Sequence, residues 1–480
     1  MRGAWSTGRI REAEEKVLAV TPDGALMRRA AWGLAGRARR MLAERTGGVA
    51  GRRVLLLVGA GNNGGDALWA GAYLRRRSVG VSALLLAPDR AHAEGLAAFR
   101  SAGGRVVTGV VPADLVVDGI VGLSARGSLR PDAAAVVERI SAPILAVDLP
   151  SGVDPDTGAV DGPAVTAAAT VTFGGYKPVH FLAGARCGEV HLVDLGLDLT
   201  DPDFAVLDRA DVAAAWPLPG ESDDKYTQGV VGVTAGSSTY PGAAVLATGS
   251  AVRATSGMTR YAGSAAEEVS RRYPEVVVTG SVTDAGRVQA WVAGPGMGTG
   301  NAARDVLRHV LDAGVPTAVD ADGITLLANH PELWDARDPG APVLLTPHDR
   351  EFARIAEPRG ITLGADRVAA ARALAAELNA TVLLKGHATV VAGPDGRVLV
   401  NQARSHWLAT AGSGDVLSGI VGALLAAGLD PVLAGGAAAY LHVRAGELAA
   451  GGAPASAARI GDAVTAAIRD LVCDDDRRHG

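Results

Sequence analysis

Asp415 closes the string Ala-Gly-Ser-Gly-Asp, Ala411–Asp415, directly before an apolar stretch of helical length, Val416–Ala427. A glycine-rich turn entering a helix offers free backbone N–H groups and the positive end of the helix dipole to negative charge. Gly412, Ser413 and Gly414 would form an anion hole for a phosphoryl group in transfer. Asp415 stands where it could take a proton from an attacking hydroxyl. An acidic residue also suits a helix N-terminus for the dipole alone, so the preceding Gly-Ser-Gly carries the functional weight.

Companion pieces occupy the same half of the chain. Lys385 ends the apolar run Thr381–Leu384 beside Gly386 and suits a nucleotide phosphate. It is one of only four lysines (with Lys16, Lys177 and Lys225) among 46 basic residues, and a lysine kept where arginine is the rule can mark a need for a compact ammonium. GPGMG at Gly294–Gly298, VDADG at Val319–Gly323 and LLTPHDREF at Leu344–Phe352 each follow an apolar run, and the last holds His348. GSSTYPGAAVLAT, Gly236–Thr248, is a further strand-to-helix glycine loop. No G-x-x-x-x-G-K-[ST] string occurs, which excludes a P-loop.

The other half carries a second constellation. Gly59, Gly61 and Gly64 spell G-x-G-x-x-G between the apolar run Val54–Val58 and a helical pattern, with Asp89 after the next apolar run. A dinucleotide turn wants small neutral residues, yet Asn62, Asn63 and Asp66 crowd this one with polar oxygens. Asp66 would repel a pyrophosphate; such oxygens suit a cation or sugar hydroxyls instead. Two more apolar runs end in Asp118, followed by GLSARGS at Gly122–Ser128, and in Asp148, followed by Ser151. Loops at neighbouring carboxyl ends of an open α/β sheet converge on one crevice, where Asn63, Asp118 and Ser151 would give hard oxygen ligands to a cation.

These residues need strand ends to hold them, and the patterning supplies strands. After a helical opening, apolar runs alternate with Ala-rich helical stretches, as in a parallel sheet covered on both faces. The expected strands are Val54–Val58, Val81–Ala87, Leu115–Val117, Ile144–Val147 and Val190–Val193, then Val230–Thr234, Val276–Val278, Ala290–Ala293, Pro316–Val319, Val343–Leu345, Thr381–Leu384 and Thr389–Ala392. The Pro- and acid-rich stretch Asp194–Gln228 breaks the rhythm and predicts two tandem α/β domains, 1–214 and 215–480.

Composition narrows the class. The chain has 480 residues, 20% of them charged, with a formal net charge of −5, which argues against nucleic acid or an anionic membrane as partner. Aromatics make up 4%, too few for base-stacking platforms. Two cysteines, Cys187 and Cys473, support neither a disulfide framework nor a four-ligand zinc site and fit a reducing cytoplasm. No signal-like N-terminus and no membrane-spanning run is expected.

V-G-x-G-N-N-G-G-D, V-D-x-I-V-G-L-S and D-L-P-S-G-V-D, with TFGGYKP around Lys177, resemble the NAD(P)H-hydrate epimerase domain over residues 5–200. K-Y-T-Q-G, Y-P-G-A-A, G-P-G-M-G, D-A-D-G, T-P-H, L-K-G-H-A-T and A-G-S-G-D resemble, in order, the NAD(P)H-hydrate dehydratase family of the ribokinase-like superfamily over residues 215–470. The resemblance implies a Rossmann-like three-layer sandwich followed by a ribokinase-like α/β domain. It implies an enzyme that epimerises R and S hydrates of NADH and NADPH and dehydrates the S form with ADP, giving AMP and phosphate.

By the same resemblance Asn62, Asn63, Gly64, Gly65 and Asp66, the loop Gly122, Leu123, Ser124, Ala125, Arg126, Gly127 and Ser128, and Asp148 contact the epimerase substrate. K⁺ is held by Asn63, Asp118 and Ser151. Asp148 is the expected catalytic residue, with proton transfer by Asp148 or Asp66 left open. In the second domain Ala243 or Ala244, Gly296 or Gly298, His348 and Asp415 contact the hydrate. Lys385, Gly386, His387, Ala388, Thr389 and Gly414 contact the nucleotide, which brings Mg²⁺. The family pattern has Gly where this chain has Ala67, and Pro-Gly before the Glu that follows T-P-H, where this chain has Asp349 and Arg350 before Glu351. The partners implied are NADHX, NADPHX and ADP, with a cytoplasmic homo-oligomer expected. Three other readings stay open: a small-molecule kinase such as one for a thiamine precursor, an NAD-dependent dehydrogenase, and a non-catalytic first domain.

Overall fold

The computed structural model describes residues 1–123, 127–255, 257–335, 337–403 and 407–473. Its contacts separate two compact units, Gly3–Asp203, and Phe204 onward with Met1 and Arg2. The sequence expectation placed the change at 214/215. Between those points the chain is built into the second unit: Phe204–Val206 pairs with Val398–Gln402, and the helix Arg209–Ala215 packs on Ala457–Val472.

The first unit is a seven-stranded sheet in the order Arg105–Val107, Gly80–Leu85, Arg53–Val58, Leu115–Gly119, Ile144–Val147, Ala169–Phe173, Glu189–Val193, parallel throughout. The strands are apolar on both sides because both faces are covered. Leu55, Leu57 and Val116 enter one core; Leu56, Val58, Val117 and Leu145 enter the other, against the helices Ala25–Thr46 and Asn62–Arg75. Two of these strands, Arg105–Val107 and Ala169–Phe173, were not among those expected. The first is short and partly exposed, and the second is preceded by an Ala run that carries no strand signal.

The second unit runs Phe204–Val206, Val398–Gln402, Ala388–Ala392, Thr381–Leu384, Val343–Leu345, Thr317–Val319, Ala290–Ala293, Val230–Thr234, Met258–Ala262, Val277–Thr279. From Thr381–Leu384 onward the pairing is parallel; Thr381–Gln402 is an antiparallel meander. Four helices, Pro241–Ala254, Ser413–Ala426, Pro431–Ala450 and Ala457–Val472, bury a common core with Val231, Val292, Leu344 and Leu383. Their Ala and Gly content reflects close approach. A Cβ at Gly422 would lie 2.0 Å from Val292 Cγ2, and one at Gly419 would lie 2.1 Å from Ala247 O. Among the described residues no helix is long and apolar enough to cross a membrane.

Candidate functional site

In the first unit the turn after Arg53–Val58 is pressed against its neighbour: a Cβ at Gly59 would lie 1.8 Å from Ile120 O. Gly61, at φ 87°, then starts the helix Asn62–Arg75. Asn63 sends its side-chain amide to Val121 O (3.1 Å) and Val147 O (2.7 Å), and Gly122 lies so close that a Cβ would strike the Asn63 amide. Asp118 is fully buried and accepts from Ile120 N (3.2 Å), Ser151 N (2.9 Å) and Ser151 Oγ (2.7 Å). Burial pushes its carboxyl up to about 6 despite the Ser151 hydrogen bonds. Asn63, Asp118 and Ser151 therefore do meet, through the carbonyl and amide of Val121. One buried carboxylate among neutral oxygens is a donor set suited to a monovalent cation, and a cation would relieve the burial of its charge.

Asp148 sits one strand further on, in the left-handed region at φ 66°. Its Oδ1 receives Lys177 Nζ at 2.6 Å and Thr172 Oγ1 at 3.0 Å. Lys177 is 1% exposed and spends its other donors on Thr172 Oγ1 (3.0 Å) and Phe173 O (2.8 Å). His180 closes the cluster: Nδ1 accepts from Lys177 N (2.9 Å), so Nε2 donates to Asp148 O (2.8 Å). Burial, with the Lys177 charge, lowers His180 to about 4 and keeps it neutral.

Asp66 differs from its neighbours. It is buried, and its Oδ1 has no hydrogen-bond partner among the described residues. Burial first, then the charges of Asp148 and Glu14, raise its carboxyl well above the usual range. Glu14 is raised likewise by burial, with Lys177 opposing and Asp148 adding to the shift. The helix Thr7–Leu18 brings Glu14 here. Thr7 bonds Asp156 (2.7 and 2.8 Å), Arg11 reaches Leu123 O (2.8 Å), and Ile10, one turn before Glu14, packs at Gly175.

In the second unit Asp320 is the hub. Lys385 Nζ lies 2.7 Å from its Oδ1, and Ser418 Oγ lies 2.7 Å from its Oδ2. Burial alone would raise this carboxyl; the Lys385 charge and the hydrogen bonds of Lys385 and Ser418 outweigh it and hold it low. Lys385 also lies 3.9 Å from Glu351 Oε2 and keeps 21% of its side chain exposed. A Cβ at Gly414 would lie 3.3 Å from Lys385 Nζ, so the lysine tip sits directly beside the turn. Ala321, at φ 50°, separates Asp320 from Asp322, and Asp322 Oδ2 accepts from Gly298 N at 2.9 Å.

Asp415 lies in the first turn of Ser413–Ala426 behind Gly412, which is left-handed at φ 84°. Burial pushes its carboxyl up to about 7; Asp320 and Asp322 add to this and Lys385 opposes it. It is thus a carboxylate poised to exchange a proton near neutrality beside an ammonium with an open side. The turn is less uniform than its sequence suggests. Ser413 N donates to Thr410 O at 3.2 Å, and Ser413 Oγ faces His442, so Gly414 and Asp415 offer the first-turn amides.

The remaining expected residues fall as follows. Gly64 and Gly65 are buried in the helix start, and Asn62, Gly127 and Ser128 are exposed. Ser124, Ala125 and Arg126 lie outside the described residues. Ala67 is fully buried and packs at Gly119. Ala243 faces Gly296, where an added Cβ would lie 2.8 Å away, whereas Ala244 is wholly buried in the core. His348 caps the helix Asp349–Ala356, its Nδ1 accepting from Arg350 N at 3.1 Å, and Glu351 Oε2 accepts in return from His348 N at 2.9 Å. Asp349 pairs with Arg367 at 2.8 Å. Gly386 and His387 are exposed, Ala388 is buried, and Thr389 Oγ1 bonds Gly386 O at 3.3 Å. Sequence reasoning did not assign Glu14, His180, Asp320, Ser418 or His442. Of these only Asp320 carried a signal, as the polar end of an apolar run.

Comparisons with known proteins match this division. Residues 231–464 match the family model described as NAD(P)H-hydrate dehydratase, and residues 23–179 match the YjeF-related protein N-terminus. The chain is 57% identical to the bifunctional NAD(P)H-hydrate repair enzyme Nnr of Mycobacterium leprae, over 98% of this chain and 100% of that one. It is 37% identical to the protein of the same name from Gloeobacter violaceus, over 82% and 84%. Among solved structures, the ADP/ATP-dependent NAD(P)H-hydrate dehydratase of Bacillus subtilis, co-crystallised with ATP and Mg²⁺, matches with 28% identity and a TM-score of 0.50, covering 56% of this chain and 99% of that one. A ribokinase-like superfamily protein from Enterococcus faecalis shares the fold at 24% identity and a TM-score of 0.50, covering 57% and 98%.

Proposed function

The chain belongs to the family of bifunctional NAD(P)H-hydrate repair enzymes, and from that premise we propose that Asp415 is the general base of its dehydratase half and Asp148, with Asp66, the acid–base centre of its epimerase half. The enzyme interconverts the R and S hydrates of NADH and NADPH and dehydrates the S form with ADP, releasing AMP and phosphate.

Hydroxide is a poor leaving group. Asp415 takes the proton of the hydrate's hydroxyl, whose oxygen attacks the β-phosphorus of ADP, and AMP departs. The phosphate ester then leaves as phosphate while the ring loses a proton, restoring the reduced nicotinamide. Lys385 and the amides of Gly414 and Asp415 face the moving charge, and Mg²⁺ arriving on the nucleotide offsets the charge of the phosphates. The observation that carries this reading is Asp415 itself, held near neutrality at a helix N-terminus beside Lys385.

In the epimerase half the hydroxyl-bearing ring carbon must be inverted. Its C–O bond breaks as an acid protonates the departing oxygen and the ring nitrogen's lone pair covers the carbon. Water then returns on the opposite face and loses a proton to a base. Asp66, raised by burial, suits the acid, and Asp148, held by Lys177, suits the base. K⁺ at Asn63, Asp118 and Ser151 would fix the loops that hold both, once Asn63 presents its carbonyl oxygen to the ion.

Asp415→Asn in the full chain tests the first assignment. Recovery of reduced-nicotinamide absorbance from the S hydrate and ADP should slow about a thousandfold, with epimerisation intact. A stable phosphorylated alcohol as the wild-type product would overturn the dehydration chemistry. Asp148→Ala should abolish R-to-S conversion and leave dehydration in place; conversion at the wild-type rate would remove Asp148 from the site.

A further inference from the structure

His442 is an anomaly on its helix. The stretch Pro431–Ala450 buries Ala434, Ala437, Ala438, Leu441 and Ala445, and His442 is 7% exposed among them. A buried imidazole is costly unless it is hydrogen-bonded. Its hydrogen-bond partner among the described residues is Ser413 Oγ, 3.0 Å from Nε2. Ser413 is itself buried, and it is the central residue of the Gly412–Gly414 turn. The glycines on either side have no side chain with which to fix the turn; Ser418 Oγ holds Gly414 O at 3.0 Å from within the same helix, and Ser413 is the turn residue whose own side chain reaches a neighbouring helix.

We propose that His442 is a positioning residue for the phosphoryl-transfer step: through Ser413 it sets the rotation of the turn that presents the Gly414 amide and Asp415 to the nucleotide. The proposal rests on the assignment of Asp415 made above. Two further facts support it. Ser413 N is already directed to Thr410 O, so the residue is held at both its amide and its hydroxyl and is turned away from the ligand side. Burial also lowers the imidazole to about 4, with Lys385 contributing, so His442 is neutral at working pH and its bond to Ser413 does not switch with protonation. Other groups near the turn are ionisable: Asp320, Asp322, Lys385 and Asp415. A neutral anchor holds the turn without adding to that field.

The test uses the full chain with His442→Leu, His442→Gln, Ser413→Ala and the His442→Leu/Ser413→Ala double variant. Dehydration should show kcat reduced roughly tenfold to a hundredfold in His442→Leu, because a small misplacement of the attacking group is costly. The KM for ADP should stay within about twofold, since phosphate contacts from Lys385 persist. Ser413→Ala should match His442→Leu, and the double variant should be no slower than either, the signature of two residues acting as one unit. Glutamine, which keeps a hydrogen-bonding group in place, should recover most of the rate. Thermal unfolding of each variant, read beside the KM for ADP, reports that the second unit is folded; epimerisation reports on the first unit alone. An unchanged kcat in His442→Leu, or losses that multiply in the double variant, would overturn the proposal. Failure of the Asp415 assignment would appear separately, as an active Asp415→Asn.

Discussion

Both units set a buried aspartate against a lysine and leave a second carboxyl nearby with a raised proton affinity: Asp148, Lys177 and Asp66 in one, Asp320, Lys385 and Asp415 in the other. The distances, 2.6 and 2.7 Å, barely differ. What differs is the lysine's remaining surroundings. Lys177 is sealed, with its donors on a carboxylate, a hydroxyl and a carbonyl; Lys385 has one short contact, one at 3.9 Å to Glu351, and an open side. The same pair of residue types thus does two jobs. A sealed ammonium is a fixed counter-charge that orients its partner, and an open one is available to an anionic ligand.

Removing each lysine tests that contrast most severely. Lys177→Met strands a buried carboxylate and should destabilise the first unit by about 3–5 kcal/mol in denaturant unfolding. Lys385→Met also strands a buried carboxylate, but Asp320 keeps the Ser418 and Ala321 hydrogen bonds, so the loss should be smaller than that of Lys177→Met, with weakened ADP binding as the main effect. Equal losses would erase the distinction.

Proton affinity gives the next test. Asp415 must be ionised to act, so kcat/KM for dehydration should fall about tenfold per pH unit below about 7, the point to which burial raises it. The stability dependence runs the other way. A carboxyl raised from about 4 to about 7 favours the native state at low pH, and that advantage is lost as pH rises through 7. Asp415→Asn should therefore be relatively more stable than wild type above pH 7, by thermal unfolding. Asp320, held low, has the opposite sign: its contribution is present above the ordinary carboxylate range and is lost only in stronger acid.

Smaller effects come from the first unit. Glu14→Gln removes a carboxyl that shares the field of Asp148 and Lys177, and R-to-S conversion should slow about threefold to tenfold. A rate loss as large as that of Asp148→Ala would make Glu14 the principal group. K⁺ should raise the melting temperature by a few degrees at pH 7.5 and less at pH 5, because below about 6 the proton competes for Asp118. Li⁺ giving the same increment would argue against a site of that size.

The parts of this molecule that were legible in sequence are those where apolar runs end in a polar residue. Asp118, Asp148 and Lys385 end three such runs, and the parallel order that makes strand ends converge follows from the alternation. Asn63, Asp118 and Ser151 were legible together as candidate cation ligands because they follow neighbouring strand ends, though each alone is an ordinary turn residue; K⁺ as the ion was an expectation from resemblance. Glu14, Ser418 and His442 could not be read this way. They project from helices whose composition is ordinary, charged for the first and apolar for the other two, and only packing reveals which face each presents. The change of unit at Phe204 was hidden for a related reason. A three-residue strand and a seven-residue helix inside an acid- and proline-rich stretch carry too short a pattern to register.

Ala321 carries a consequence for anyone who would harden this enzyme. An alanine at φ 50° is strained, by about 1–3 kcal/mol, and glycine would adopt the same backbone without that cost. Ala321→Gly is thus an obvious thermostabilising substitution. It would also loosen the one residue that separates Asp320, on Lys385, from Asp322, on the Gly298 amide. Ala321→Gly should therefore raise the melting temperature while lowering the dehydration rate, so that heat resistance and turnover would be opposed at this single residue.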